Sequence, residues 1–168
     1  MLFRSSLKII DLKAFMSSLL IQNVFDNFLL SELDINNYNH FHISGTLNEE
    51  FYSSEELELL AGRKYSNWSD IKPIAYSLIK GNKLPLSIKI VFLLSPENTK
   101  KVLSKSGIGM ELSDINGLVL NVRYEKGNLY LITGTSIKTF TLDKSLEQIW
   151  DADMKLFLKH NEIPVEVV

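Results

Sequence analysis

Cysteine is absent from the chain, which excludes disulfides, thiolate nucleophiles and thiolate metal ligands together. A dominant charge is absent too. The 18 Lys and Arg against 20 Asp and Glu leave a net charge of -2, so no global field draws the molecule toward nucleic acid or anionic lipid. No apolar run approaches the ~20 residues needed to cross a bilayer. The first residues, MLFRSSLKIIDLKAF, are broken by Arg4, Lys8, Asp11 and Lys13 and lack the unbroken apolar stretch of a signal peptide. A cytoplasmic protein without a membrane partner is expected. Catalytic settings are also scarce: no G-x-S-x-G elbow places a serine beside a base. The pairs Glu49-Glu50 and Glu55-Glu56 sit in polar sequence that gives no reason for shifted pKa values. The sequence does not point to an enzyme and asks for no cofactor.

The stretch ITGTSIKTFT contains Gly134 to Thr139, which looks like the tail of a phosphate-binding loop. Such a loop needs glycine directly before the lysine and a helix directly after, so that backbone amides and the helix dipole converge on phosphate. Ile137 precedes Lys138 instead, and Phe140 and Leu142 continue with strand alternation. The segment reads as a hairpin turn.

What the chain does have is globular balance. With 168 residues, 45% hydrophobic and 23% charged, it matches one compact domain spanning residues 1–168. In DLKAFMSSLLI, the residues Leu12, Phe15, Met16, Leu19 and Leu20 follow helical spacing behind the capping residue Asp11, after a strand at about residues 6–10. FLLSELDINNYNHFHISGTL alternates in two runs about Asn37-Tyr38-Asn39, predicting a hairpin with Ile35 opposite Phe41, Leu33 opposite Ile43 and Asp34 opposite His42. Leu29 is expected on the core side with Leu33. Ser53-x-x-Glu56 is a capping box. A further helix starts at Ser69 or Asp70, with Pro73 in its first turn, and stops at Gly81; another runs from Ser95-Pro96 to Gly107. Between them, LSIKIVFLL reads as a strand with Leu86, Ile88, Ile90, Phe92 and Leu94 facing the core. The last helix begins at Asp143 and carries Leu146, Ile149, Trp150, Met154, Phe157 and Leu158 on one side. EIPVEVV either adds an edge strand or hangs free.

The segment from Gly117 to Leu142 predicts a three-stranded meander. A Lys126-Gly127 turn pairs Val122 with Leu131 and Tyr124 with Leu129, and a second turn at Thr135-Ser136 pairs Leu131 with Phe140 and Leu129 with Leu142. Its outer face then aligns Arg123, Tyr130 and Thr141, with Ile132, Ile137 and Thr139 alongside. Arginine, aromatic and aliphatic side chains on one surface are the composition of a protein interface, or of a base-stacking platform. The competing reading is that a helix of the same chain covers this face.

Two other constellations carry chemistry. Asp34, His40 and His42 share one face of the first hairpin, and two histidines with an opposing carboxylate form a partial ligand set for a divalent metal. A plain cross-strand Asp34-His42 pair is the simpler alternative. Lys100, Lys101 and Lys105 add a basic patch that with Arg123 supports at most weak nucleic-acid binding.

FMSSLLIQNVFDNFLLSE, SLIKGNKLPLSIKIVFLLSPENTKKVL and TGTSIKTFTLDKSLEQIWD together resemble an uncharacterised domain-of-unknown-function family of anaerobic Gram-positive bacteria. That resemblance brings no activity with it. GNLYLITGTSIKTFTL is also similar to a hairpin of a bacterial DNA sliding-clamp domain. SLKIIDLKAFMSSLL and SIKIVFLLSPENTKKVL both read strand then helix, each followed by a hairpin and another helix, and this repeat fits the likeness, which brings no residue roles. The combined expectation is a single α+β domain, an antiparallel-rich sheet with helices packed against it, serving as a non-catalytic protein-binding or assembly module. Its partner is another protein or a second copy of the chain. The alternatives are a metal-dependent or small-molecule-handling enzyme built on Asp34, His40 and His42, and a weak nucleic-acid binder.

Overall fold

A computed structural model describes residues 2–139, 141 and 143–168, with residues 2–5 described by backbone alone. Alternating apolar residues build one antiparallel sheet. Its strands are β1 (Leu2–Ile9), β2 (Phe28–Asn36), β3 (His40–Ser44), β4 (Ser66–Asn67), β5 (Ser87–Leu94), β6 (Ile115–Glu125), β7 (Asn128–Ile137) and β8 (Val165–Val167). The order across the sheet is β3-β2-β5-β6-β7-β1-β8, with the short β4 pairing β2. The helices are α1 (Leu12–Leu20), α2 (Ser54–Leu60), α3 (Trp68–Ile79), α4 (Pro96–Ser106) and α5 (Ser145–His160). Strand, helix, hairpin and helix thus occur twice in chain order, as the α+β reading expects.

Local chemistry explains most boundaries. Asp11 accepts from the Ala14 amide at 3.1 Å and starts α1. Ser53 and Glu56 close the capping box of α2. Ser95 caps α4, with Pro96 in the first turn and Gly107 ending it in the left-handed region. α3 begins earlier than expected, at Trp68 behind Asn67, which places Pro73 inside the helix. α5 begins at Ser145, and Asp143 instead accepts hydrogen bonds from the Ser145 amide and hydroxyl. Both hairpins keep their expected registers: Ile35 meets Phe41, Leu33 meets Ile43, Val122 meets Leu131 and Tyr124 meets Leu129. Lys126 and Gly127 both have positive φ, as a type I′ turn requires.

Three expectations are corrected. β7 has no turn at Thr135-Ser136; it runs through to Ile137, and its second neighbour is β1, with Leu7 opposite Leu131 and Lys8 opposite Tyr130. The β-branched Thr133, Thr135 and Ile137 extend the period-two pattern begun at Leu129, and that outweighs the turn-like Gly134. The pairings expected for Phe140 and Leu142 lie outside the described residues. In β2 a bulge between Leu30 and Glu32 reverses the faces, so Leu30 joins the core cluster in place of Leu29. Leu86 precedes β5 and is exposed.

One face of the sheet holds the core. Leu30, Leu33, Ile35, Ile88, Ile90, Phe92, Leu118, Leu120, Val122, Leu129 and Leu131 form a single buried cluster with residues of α1, α3, α4 and α5. At its centre Phe92 stacks on Phe25 and meets the Trp68 ring edge to face. The indole N–H of Trp68 donates to the Leu19 carbonyl and that of Trp150 to the Val119 carbonyl, so both tryptophans bury their rings without orphaning the donor. α2 buries no residue.

Candidate functional site

With α1, α3, α4 and α5 joined to the core on one side, the opposite face of the sheet is its second surface. Successive side chains on a strand alternate between faces, so the registers specify what this face presents. One row crosses every strand of the order β3-β2-β5-β6-β7-β1-β8, off which the short β4 lies: His42, Asp34, Lys89, Arg123, Tyr130, Lys8 and Glu166. The adjacent row runs Ser44, Glu32, Val91, Asn121, Ile132 and Ser6. A third brings Leu29, Leu93 and Val119 together beside Gly134. Leu29 and Val119 are buried but stand outside the core cluster. Tyr130, Ile132, Val91 and Leu93 are half-buried, and Arg123 is exposed.

Of the residues expected on this surface, Arg123, Tyr130 and Ile132 share it. Ile137 does not. Because β7 continues straight, Ile137 falls on the same side as Leu129 and Leu131 and packs against the core cluster. Thr139 and Thr141 lie beyond β7 in the connection to α5, where the Thr141 hydroxyl accepts from the Asp143 amide. The third partner of the Arg123-Tyr130 row is therefore Lys8, which local pattern could not supply because β1 pairs with β7 across the length of the chain.

The end of this face on β2 and β3 is the most ordered electrostatically. Asp34 Oδ1 lies 2.9 Å from His40 Nε2 and 3.0 Å from His42 Nδ1, so two histidines converge on one carboxylate oxygen. Burial pushes the Asp34 carboxyl upward, and the hydrogen bonds and charges of His42 and His40 outweigh it, holding the group below its ordinary 3.8. Next to it Lys89 pairs with Glu32 at 2.7 Å. The expected triad thus forms as an interlocked pair of hydrogen bonds. A cation at its centre would have to displace both. Among the described residues no group of three or more His, Asp and Glu is arranged to hold a metal ion.

The basic patch does not join this surface. Lys100, Lys101 and Lys105 belong to α4, on the helical layer, whereas Arg123 is on the open face. Under the helices, α4 and α5 leave a cleft of about 550 Å³ floored by Phe28, Val102, Trp150 and Met154 and edged by Lys105, Asp153 and His160. Between α5 and β7 a small polar cluster is buried. Thr133 donates to Asp151, which also pairs with Lys155, while Thr135 Oγ1 and Glu147 Oε1 have no hydrogen-bond partner among the described residues. Neither feature was visible in sequence, because each depends on how α5 crosses the sheet.

Residues 18–166 match the model of a family described as a family of unknown function, DUF5721. No curated protein and no solved structure matches, and the likeness to a sliding-clamp domain gains no support from these comparisons. Among the described residues, no helix is long and apolar enough to cross a membrane.

Proposed function

We propose that this chain, which belongs to the DUF5721 family of unknown function, is a non-catalytic protein-binding or assembly module that works through the open face of its sheet. One observation carries the reading. Every helix that buries side chains in the core cluster packs on the same side, and the other side keeps half-buried Tyr130, Ile132 and Val91 around an exposed Arg123. Large aromatic and aliphatic groups ringed by charge are characteristic of recognition surfaces. Among the described residues no helix of the core cluster lies on this face, and although Leu29, Val119 and Asn121 there are already buried, the part around Arg123, Tyr130 and Val91 leaves room for a second layer.

The enzyme reading built on Asp34, His40 and His42 finds less support, since that carboxylate is already satisfied by two donors on an exposed hairpin. Nucleic-acid binding is weakened by the separation of Arg123 from the α4 lysines onto opposite layers. An Arg123→Glu, Tyr130→Glu double variant tests the proposal. With circular dichroism and thermal melting unchanged, the variant should lose the self-association or protein binding that the wild type displays by light scattering or affinity chromatography. Full retention by the folded variant would reject this face.

A further inference from the structure

The pattern on the open face is its own complement, and from it we infer that the occupant is a second copy of this chain, related by a two-fold axis parallel to β6. The inference rests on the assembly reading above and specifies its partner. β6 is the middle strand of the order β3-β2-β5-β6-β7-β1-β8. A two-fold axis lying along that strand, between two facing sheets, exchanges the two halves of the order. β5 then meets β7 of the other copy, β2 meets β1, and β3 meets β8.

In the row through Arg123 this sets Lys89 against Tyr130, Asp34 against Lys8 and His42 against Glu166. These contacts bring an ammonium to an aromatic ring, a carboxylate to an ammonium, and an imidazole to a carboxylate. Each occurs twice in the dimer. In the neighbouring row Val91 meets Ile132 and Glu32 meets Ser6, while Asn121 on the axis is buried in its own sheet with its amide donating to the Ile132 carbonyl and adds no contact. Arg123 also faces its own copy, the one like-charge contact of the row. Glu125 lies two residues along β6 on the same face, within side-chain reach of the opposing guanidinium. Lys89 already holds Glu32, so its contact with the partner's ring adds to an existing pair. The seven-strand row and the six-strand row beside it, with strands about 4.8 Å apart and rows about 6.8 Å apart, give a face on the order of 400 Å² per copy, about half the roughly 800 Å² per partner of a standard interface and suited to a concentration-dependent dimer.

A charge swap distinguishes this arrangement from any other use of the face. Lys8→Glu alone opposes two carboxylates at both symmetric contacts, and Asp34→Lys alone opposes two ammonium groups. Each single variant should need at least about a tenfold higher concentration than the wild type to dimerise in light scattering. Mixing the two singles restores opposite charges at both contacts and should restore the dimer mass, as should both changes in one chain. Because the double variant carries both substitutions, its recovery also excludes misfolding as the cause of the single-variant loss. A wild type that stays monomeric across the concentration series overturns the inference, as does a mixture that fails to recover. A dimer that is broken by Arg123→Glu, Tyr130→Glu but indifferent to the single swaps removes this two-fold register and leaves the open face standing. A dimer indifferent to all of them rejects the face itself.

Discussion

Asp34 shows how much one residue can disclose. The hairpin register, read from alternation and the Asn37-Tyr38-Asn39 turn, already puts it opposite His42, and His40 follows on the same face two residues earlier. What sequence could not supply was the convergence of both rings on a single oxygen. This contact predicts a pH signature. The carboxyl is held below 3.8 in the folded chain, so its stabilisation is fully present above the unfolded value and is lost as pH falls through the depressed one. Asp34→Asn keeps an acceptor oxygen but removes the charge. It should cost about 1 kcal/mol near neutral pH, since both histidines are more than half exposed. Denaturant titrations of wild type and variant should converge as pH falls below 3.8. A gap that stays constant over that range would mean the ionised carboxylate contributes nothing specific.

At the scale of elements, turns with a stereochemical requirement were legible and interruptions of strands were not. The Lys126-Gly127 turn announces itself because both residues take positive φ. Gly134-Thr135-Ser136 has the composition of a turn and the backbone of a strand, because β1 supplies a partner that no local pattern mentions. Ile137, Thr139 and Thr141 were misplaced for that one reason. The bulge in β2 was equally hidden, and it explains Gly45. The Gly45 amide donates to the Ser31 carbonyl at 2.8 Å, and its own carbonyl accepts from the Ser66 amide at 2.8 Å. A Cβ at position 45 would lie 1.7 Å from the Leu30 carbonyl oxygen, a backbone atom that no rotamer change can move. Gly45→Ala should therefore destabilise by at least about 1–3 kcal/mol, the range of overpacked cores. Thermal or chemical denaturation measures it. A neutral substitution would show that β2 and the β3-β4 connection give way freely at the bulge.

For the whole molecule, fold class follows from composition and alternation, whereas strand order does not. β5 lies between β2 and β6, and β1 crosses to the far side of β7, arrangements decided by burial of the shared core rather than by any local signal. β8 follows from that placement: once β1 lies beyond β7, its outer edge is open, and the C-terminal strand pairs there through Leu7 with Val167, Lys8 with Glu166 and Ile9 with Val165. An open edge of that length is a liability that a short strand removes. Ending the chain after Ile163 should therefore act locally. Hydrogen exchange should show lost protection at the β1 amides directed toward β8, while those bonded to β7 and the β6-β7 hairpin keep theirs. Loss of protection throughout the sheet would mean that β8 is integral to the cooperative core. Unchanged protection in β1 would mean that the terminal strand does not hold that edge in solution.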